Sequence, residues 1–163
     1  MTWPPNYKLS VFDGDGSKFG QKGPEGSAII EAKFHQVFRS LGANTVETEL
    51  NGRSDYAAFS AAGIAVGGIF TGAEGAMTEE EASLFGGISG EAYDKCYHKA
   101  CDSIDNISED AISFNVNALA AVTYSFSDSV TELKGVQKSA TSRLRNKVVF
   151  PKHLHCHDDV YDI

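Results

Sequence analysis

The chain has 163 residues, the length of one domain, with 42% hydrophobic and 22% charged residues, 16 glycines and 4 prolines. Such a composition is globular and buries roughly two-thirds of the unfolded surface. A formal net charge of −8, with no Lys/Arg patch interleaved with aromatics, excludes a nucleic-acid surface, because phosphate binding needs concentrated positive charge.

In chain order, YKLSVFD (7–13) mixes β-branched and aromatic residues and runs into DGDGS, which predicts a strand ending in a turn. Ile30, Phe34, Val37, Phe38 and Leu41 then recur at helical spacing, with Ser27 as the expected cap and Gly42 as the stop. TVETEL (45–50) alternates as a strand and ends at Asn-Gly, and a short helix is expected over Tyr56–Ala62. IAVGGIF (64–70) reads as a buried strand. MTEEEASLFGG reads as a brief helix with acidic residues in its first turn. Ser108 is placed to cap a long helix whose apolar stripe is Ile112, Val116, Leu119, Thr123 and Phe126. From about Glu132 the chain turns basic, then histidine-rich, without periodicity. Strands alternating with helices, without an internal repeat, predict an α/β fold.

No apolar run approaches the roughly 20 residues that cross a bilayer, and the opening MTWPPNYKLS has no secretory-leader pattern. Cys96 and Cys101, however, lie close enough for a small disulfide, which implies an oxidising compartment, and Cys156 is left over. The two signals together lead us to expect that the chain does not begin where its protein begins.

Four segments carry candidate chemistry. In DGDGS, Asp13, Asp15 and Ser17 alternate as calcium ligands do, but the calcium loop's sixth and twelfth places hold Lys18 and Pro24. A turn rich in Asp and Gly is therefore expected there. HLHCHDD brings His153, His155, Cys156 and His157 together, a donor set for soft metals, yet in a tail without a scaffold. His35 flanks the apolar stripe of its helix and reads as a solvated residue. In NGRSDYAAF a turn delivers Arg53 and Asp55 just before a helix, which fits Asp55 as a cap and Arg53 as a surface partner. In CYHKAC a disulfide would present Tyr97 and His98 rigidly. A metal ligand needs that preorganisation, and a tyrosine hydroxyl beside a metal donates to a developing oxyanion. A structural loop accounts for the same spacing equally well, and one histidine does not make a zinc site.

Taken in order, FDGDGS, GPEGSAIIEAKF, NGRSDYAAF, AGIAVGGIFTGAEG, TEEEASLFGG and GEAYDKCYHKACDSIDNI resemble the carboxy-terminal part of the M28 family of zinc aminopeptidases, over about Asn6 to Ala121. The resemblance implies a three-layer fold, a mixed β-sheet flanked by helices, carrying two zinc ions that activate a shared water for attack on the amino-terminal peptide bond of a peptide substrate. By motif position His98 matches a zinc ligand, and Tyr97 matches the tyrosine that steadies the tetrahedral intermediate. Gly52 and Arg53 match the segment beside the substrate's amino terminus. Phe70 falls where the family builds its apolar pocket, and Cys96–Cys101 matches a disulfide that clamps the loop. An extracellular or vacuolar location follows from the same resemblance.

The resemblance also implies what is missing. It aligns Met1 with a methionine directly after an aspartate ligand, so that the other ligands and the general-base glutamate are expected outside this sequence. The implied organisation is a C-terminal part of an M28-like domain over 1–131 and a loosely ordered tail over 132–163. Alone, the chain is expected to be inactive and poorly folded, with the strand at 7–13 stripped of its partners and exposed as an edge. The alternative reading is a non-catalytic, peptidase-like binding module.

Overall fold

A computed structural model describes residues 5–128. The tail over 132–163, with His153, His155, Cys156 and His157, lies outside the described residues. Three short strands, β1 (Ser10–Phe12), β2 (Val46–Thr48) and β3 (Ile69–Phe70), form one sheet in the order β2-β1-β3. β1 runs parallel to β2 and antiparallel to β3, so the sheet is mixed. The expected exposed edge at 7–13 is therefore corrected: β1 is the central strand, paired on both sides.

Alternation along β1 sends Leu9 and Val11 to one face and Lys8, Ser10 and Phe12 to the other. On the first face Leu9 and Val11 pack against Phe34 and Phe38 of helix α1 (Ser27–Ser40) and Ala118 and Val122 of helix α4 (Glu109–Asp128). On the second, Phe12 gathers Leu50 and Val66, with Tyr56 and Phe70 packed against them. Tyr56 opens helix α2 (Tyr56–Ala61), and Glu81 of helix α3 (Glu79–Phe85) reaches Lys8. Helices thus approach the sheet from both faces, an α/β arrangement. A 3₁₀ turn (Ile104–Asn106) precedes α4. Among the described residues, no helix is long and apolar enough to cross a membrane.

Several local expectations change. Ser27 is the first residue of α1 rather than its cap, which is Gly26, and its hydroxyl accepts the Val66 N–H at 3.0 Å. That bond ties the helix start to the 64–70 segment, of which only Ile69–Phe70 joins the ladder. Asp55 occupies the cap position of α2 but makes no side-chain cap bond. Gly42 follows α1 at φ 75°, the left-handed geometry expected of a helix stop. Ser108 does cap α4, accepting the Ala111 N–H at 3.3 Å.

The buried face of the long helix lies one residue round from the expected apolar stripe, of which Phe126 still packs against the core. Ala111, Asn115, Ala118 and Val122 are buried, whereas Ile112, Val116 and Leu119 are exposed. Small side chains let α4 come close to α1 and the sheet, and that close approach decides the buried face over side-chain size. The DGDGS segment is a turn held by backbone N–H groups: Asp13 accepts from Ser17, Lys18 and Phe19, and Asp15 accepts from Ser17.

Candidate active site

The CYHKAC loop is closed by a Cys96–Cys101 disulfide with Cα atoms 5.3 Å apart. Its base is fixed by Asp94, which is buried and accepts the Cys96 N–H at 2.8 Å. The Asn106 side chain closes the far end by donating to the Cys101 carbonyl. Within this clamp His98 adopts φ 55°, a left-handed conformation unfavourable for a residue with a Cβ. Such strain persists only where the surroundings hold it, and it gathers at functional positions. The exposed His98 ring lies flat on Tyr97, with centroids 4.0 Å apart and planes 15° from parallel.

Tyr97 lines a groove shared with Arg53, Ser54, Tyr56, Phe70 and Glu74. The turn before α2 is built by its own polar groups. The Arg53 N–H donates to Asn51 Oδ1 at 3.1 Å, and the Gly52 N–H donates to the Tyr56 hydroxyl at 2.7 Å. Gly52 takes φ 79° to allow it. Arg53 Nη2 crosses the groove to Glu74 Oε1 at 2.5 Å. This bond, aided by the Arg53 charge, lowers the Glu74 carboxyl below its ordinary range. It equally holds Arg53 protonated. Phe70 supplies an apolar wall, stacked on Phe12 at 6.2 Å.

Along the same groove, Tyr93 is buried and its hydroxyl donates to Glu81, which also takes a bond from Lys8 Nζ at 3.1 Å. Glu81 closes a capping box with Thr78 at the start of α3. Burial alone would raise the Glu81 carboxyl, but hydrogen bonds from Tyr93, the Thr78 backbone and Lys8 outweigh it and bring it to about 2. Burial, then the Glu81 bond and charge, push the Tyr93 hydroxyl up. Gly72 makes room for this ring: at φ 115°, a Cβ there would come within 2.2 Å of Tyr93.

Arg53, Phe70 and Tyr97 thus share one groove, with Gly52 in the turn that carries Arg53. Sequence reading missed Glu74, although FTGAEG was singled out as a word, and it missed the Glu81–Tyr93–Lys8 cluster. His35 is corrected. Far from being a solvated flank residue, it has Nδ1 2.7 Å from Thr45 Oγ1 and an Nε2 that is buried without a hydrogen-bond partner.

Two groups of donors among the described residues are close enough to hold a metal ion, Glu31–His35–Glu47 and Asp13–Asp15–Glu31, each with its ligand atoms within 4.8 Å. Neither includes His98. A catalytic zinc ion takes about three protein ligands, so the described residues around His98 do not fit a complete zinc centre.

A mixed sheet with helices on both faces and a groove alongside the central strand is consistent with an incomplete α/β peptidase domain. Sequence comparison carries the assignment to a family. Residues 6–123 match Peptidase family M28. An aminopeptidase of Pseudomonas aeruginosa PAO1 is 52% identical over 123 residues, covering 76% of this chain and 23% of that protein. A probable leucine aminopeptidase 2 of Aspergillus fumigatus is 46% identical over 158 residues, 95% of this chain and 32% of that protein. Leucine aminopeptidase 2 of Trichophyton rubrum is 43% identical over 135 residues, 83% of this chain and 27% of that protein. The chain belongs to peptidase family M28, and it spans about a quarter to a third of the length of these relatives.

Proposed function

We propose that this chain is the C-terminal portion of a two-zinc aminopeptidase, removing amino-terminal residues from peptides outside the cytosol. The observation that carries the reading is the convergence of Arg53, Phe70 and Tyr97 on one groove in a chain of an aminopeptidase-rich family. His98 is one zinc ligand, preset by its clamped loop. Tyr97 donates its hydroxyl to the oxyanion that forms on the substrate carbonyl. Gly52 and Arg53 flank the substrate's amino terminus, and Phe70 borders the pocket for its first side chain. Zinc, when bound in a completed site, would supply the activated water. With a single donor from this region, no step is derived through the ion. Residues 1–131 act as one part of the peptidase domain. The 163-residue chain by itself is inactive on this reading.

The test is a chimera in which residues 6–123 replace the matching segment of the Pseudomonas aeruginosa aminopeptidase. Zinc-dependent hydrolysis of an amino-acid p-nitroanilide is expected, with a loss of at least 100-fold in His98→Ala and Tyr97→Phe variants. A folded chimera that binds two zinc ions but hydrolyses nothing, or one indifferent to His98→Ala, overturns the assignment. So does turnover, with stoichiometric zinc, by the 163-residue chain alone.

A further inference from the structure

α1 carries Glu31 and His35 one turn apart, so both project from the same face. Across that face stands Glu47 of β2, opposite Val11 in the ladder. Its neighbour Thr48 turns the other way, toward the groove that holds Arg53 and Tyr97. Glu31, His35 and Glu47 line a separate groove together with Asp15, Gln36 and Arg39.

We propose that Glu31, His35 and Glu47 form a binding site for a divalent transition-metal ion of the zinc class, which cross-links α1 to β2. Three observations support it. First, Glu31 is buried and locked: Oε2 accepts the Gly14 and Asp15 N–H groups, both at 2.9 Å, which leaves Oε1 turned toward His35. Second, His35 Nδ1 is engaged by Thr45 while the buried Nε2 has no partner and lies 3.8 Å from Glu31 Oε1. In the tautomer with Nδ1–H donating to the Thr45 hydroxyl, Nε2 is a free lone-pair donor beside both carboxylates, the arrangement in which a metal-bound imidazole is held by an outer hydrogen bond. Third, the three ligand atoms lie within 4.8 Å of one another. Tetrahedral ligands about 2.0–2.2 Å from zinc stand roughly 3.4 Å apart, so a small inward shift closes the site.

The donor set selects the ion. One imidazole with two carboxylates suits zinc, cobalt or manganese better than calcium or magnesium, which take oxygen donors. Asp15 adds negative charge to the groove, and Arg39 is the cation that opposes it. Thr45 and the backbone groups that hold Glu31 fix two of the ligands before any ion arrives.

The experiment uses the full chain with its tail donors replaced (H153Q, H155Q, C156S, H157Q), stripped of metal by chelation. Calorimetric titration with zinc chloride should show one site, and cobalt(II) should give visible absorption of a bound low-symmetry ion. H35Q and E47Q should each weaken zinc at least 100-fold and abolish the cobalt spectrum, whereas R39Q should tighten binding and H98Q should leave it unchanged. Zinc should raise the melting temperature of the parent and not of E47Q. No zinc uptake by a folded parent, or equal uptake in parent, H35Q and E47Q, overturns the proposal. Should H35Q fail to fold, E47Q with the cobalt spectrum of the parent decides alone. Because H98Q separates this site from the groove at Tyr97, failure here leaves the aminopeptidase reading standing, and the reverse.

Discussion

Arg53 and Glu74 meet at 2.5 Å across the mouth of the groove, although the two side chains are 66% and 52% exposed. A pair so open to solvent adds little to stability, so its geometry has to be explained by what it positions. Glu74 holds the guanidinium at the groove wall. In the chimeric enzyme, Glu74→Gln is expected to raise KM for substrates with a free amino terminus about tenfold, with a smaller change in kcat. Its melting temperature should stay at the parent's value. Steady-state kinetics on amino-acid p-nitroanilides, paired with thermal denaturation, checks both halves. An unchanged KM removes Glu74 from substrate recognition.

Asn6 holds the approach to β1 against the 86–92 loop. It is buried, accepts the Ile88 N–H at 2.7 Å, and offers its amide to the carbonyls of Ile88, Glu91 and Ala92 at 3.1–3.3 Å. Gly87 sits so close that a Cβ there would come within 2.5 Å of Asn6 Oδ1. Asn6→Ala strands several of these groups away from water, so a loss on the order of 3 kcal/mol is expected. The midpoint of urea unfolding measures it, and a shift near zero would show that water replaces the amide.

Glu81 gives the fold an acid limit. Its carboxyl is brought from an ordinary value of 4.5 to about 2 in the folded chain. A depressed carboxyl contributes stability that is complete above the unfolded value and lost as pH falls through the folded one. The chain should therefore lose stability progressively between pH 4.5 and about 2. Glu81→Gln should flatten that dependence while lowering stability at neutral pH, and Tyr93→Phe, which removes one donor to Glu81, should act partway. Denaturation midpoints at a series of pH values test it. A slope identical in parent and Glu81→Gln would assign the acid transition to another carboxylate.

What was legible in the sequence follows the range of the interactions involved. The α1 stripe of Phe34 and Phe38, the turns at DGDGS and NGRS, and the disulfide all depend on neighbours within a few residues. The order of motif words identified the family over nearly the span that matches it, residues 6–123. Ser27 was misread because its partner, Val66, lies 39 positions away. His35 was misread because Thr45, just before β2, reaches it only once α1 packs on the sheet. The strand at 7–13 was expected to lose its partners with the rest of the domain, but both of them, β2 and β3, come from this chain at 34 or more residues' distance, beyond the reach of local pattern. Arg53 and Tyr97 were found through their motifs, yet Glu74, which ties Arg53 in place, carried no signal beyond membership of FTGAEG.

The helix α4 offers the sharpest mechanical test of that distinction. Ile112, Val116 and Leu119 face outward, with Ile112 at 44% exposure, while Ala118 is at 0% against α1 and the sheet. Size and hydrophobicity argue that Ile112→Ser should cost more than Ala118→Leu, and the packing argues the reverse. Ala118→Leu forces extra methylenes into a closed contact, for which about 1–3 kcal/mol is expected, whereas Ile112→Ser at a half-open site should cost less than about 1 kcal/mol. Urea unfolding of the two variants decides between them. If Ile112→Ser is the more damaging, then Ile112, with Val116 and Phe70 around the adjoining apolar groove, is covered in solution by polypeptide that the described residues do not include.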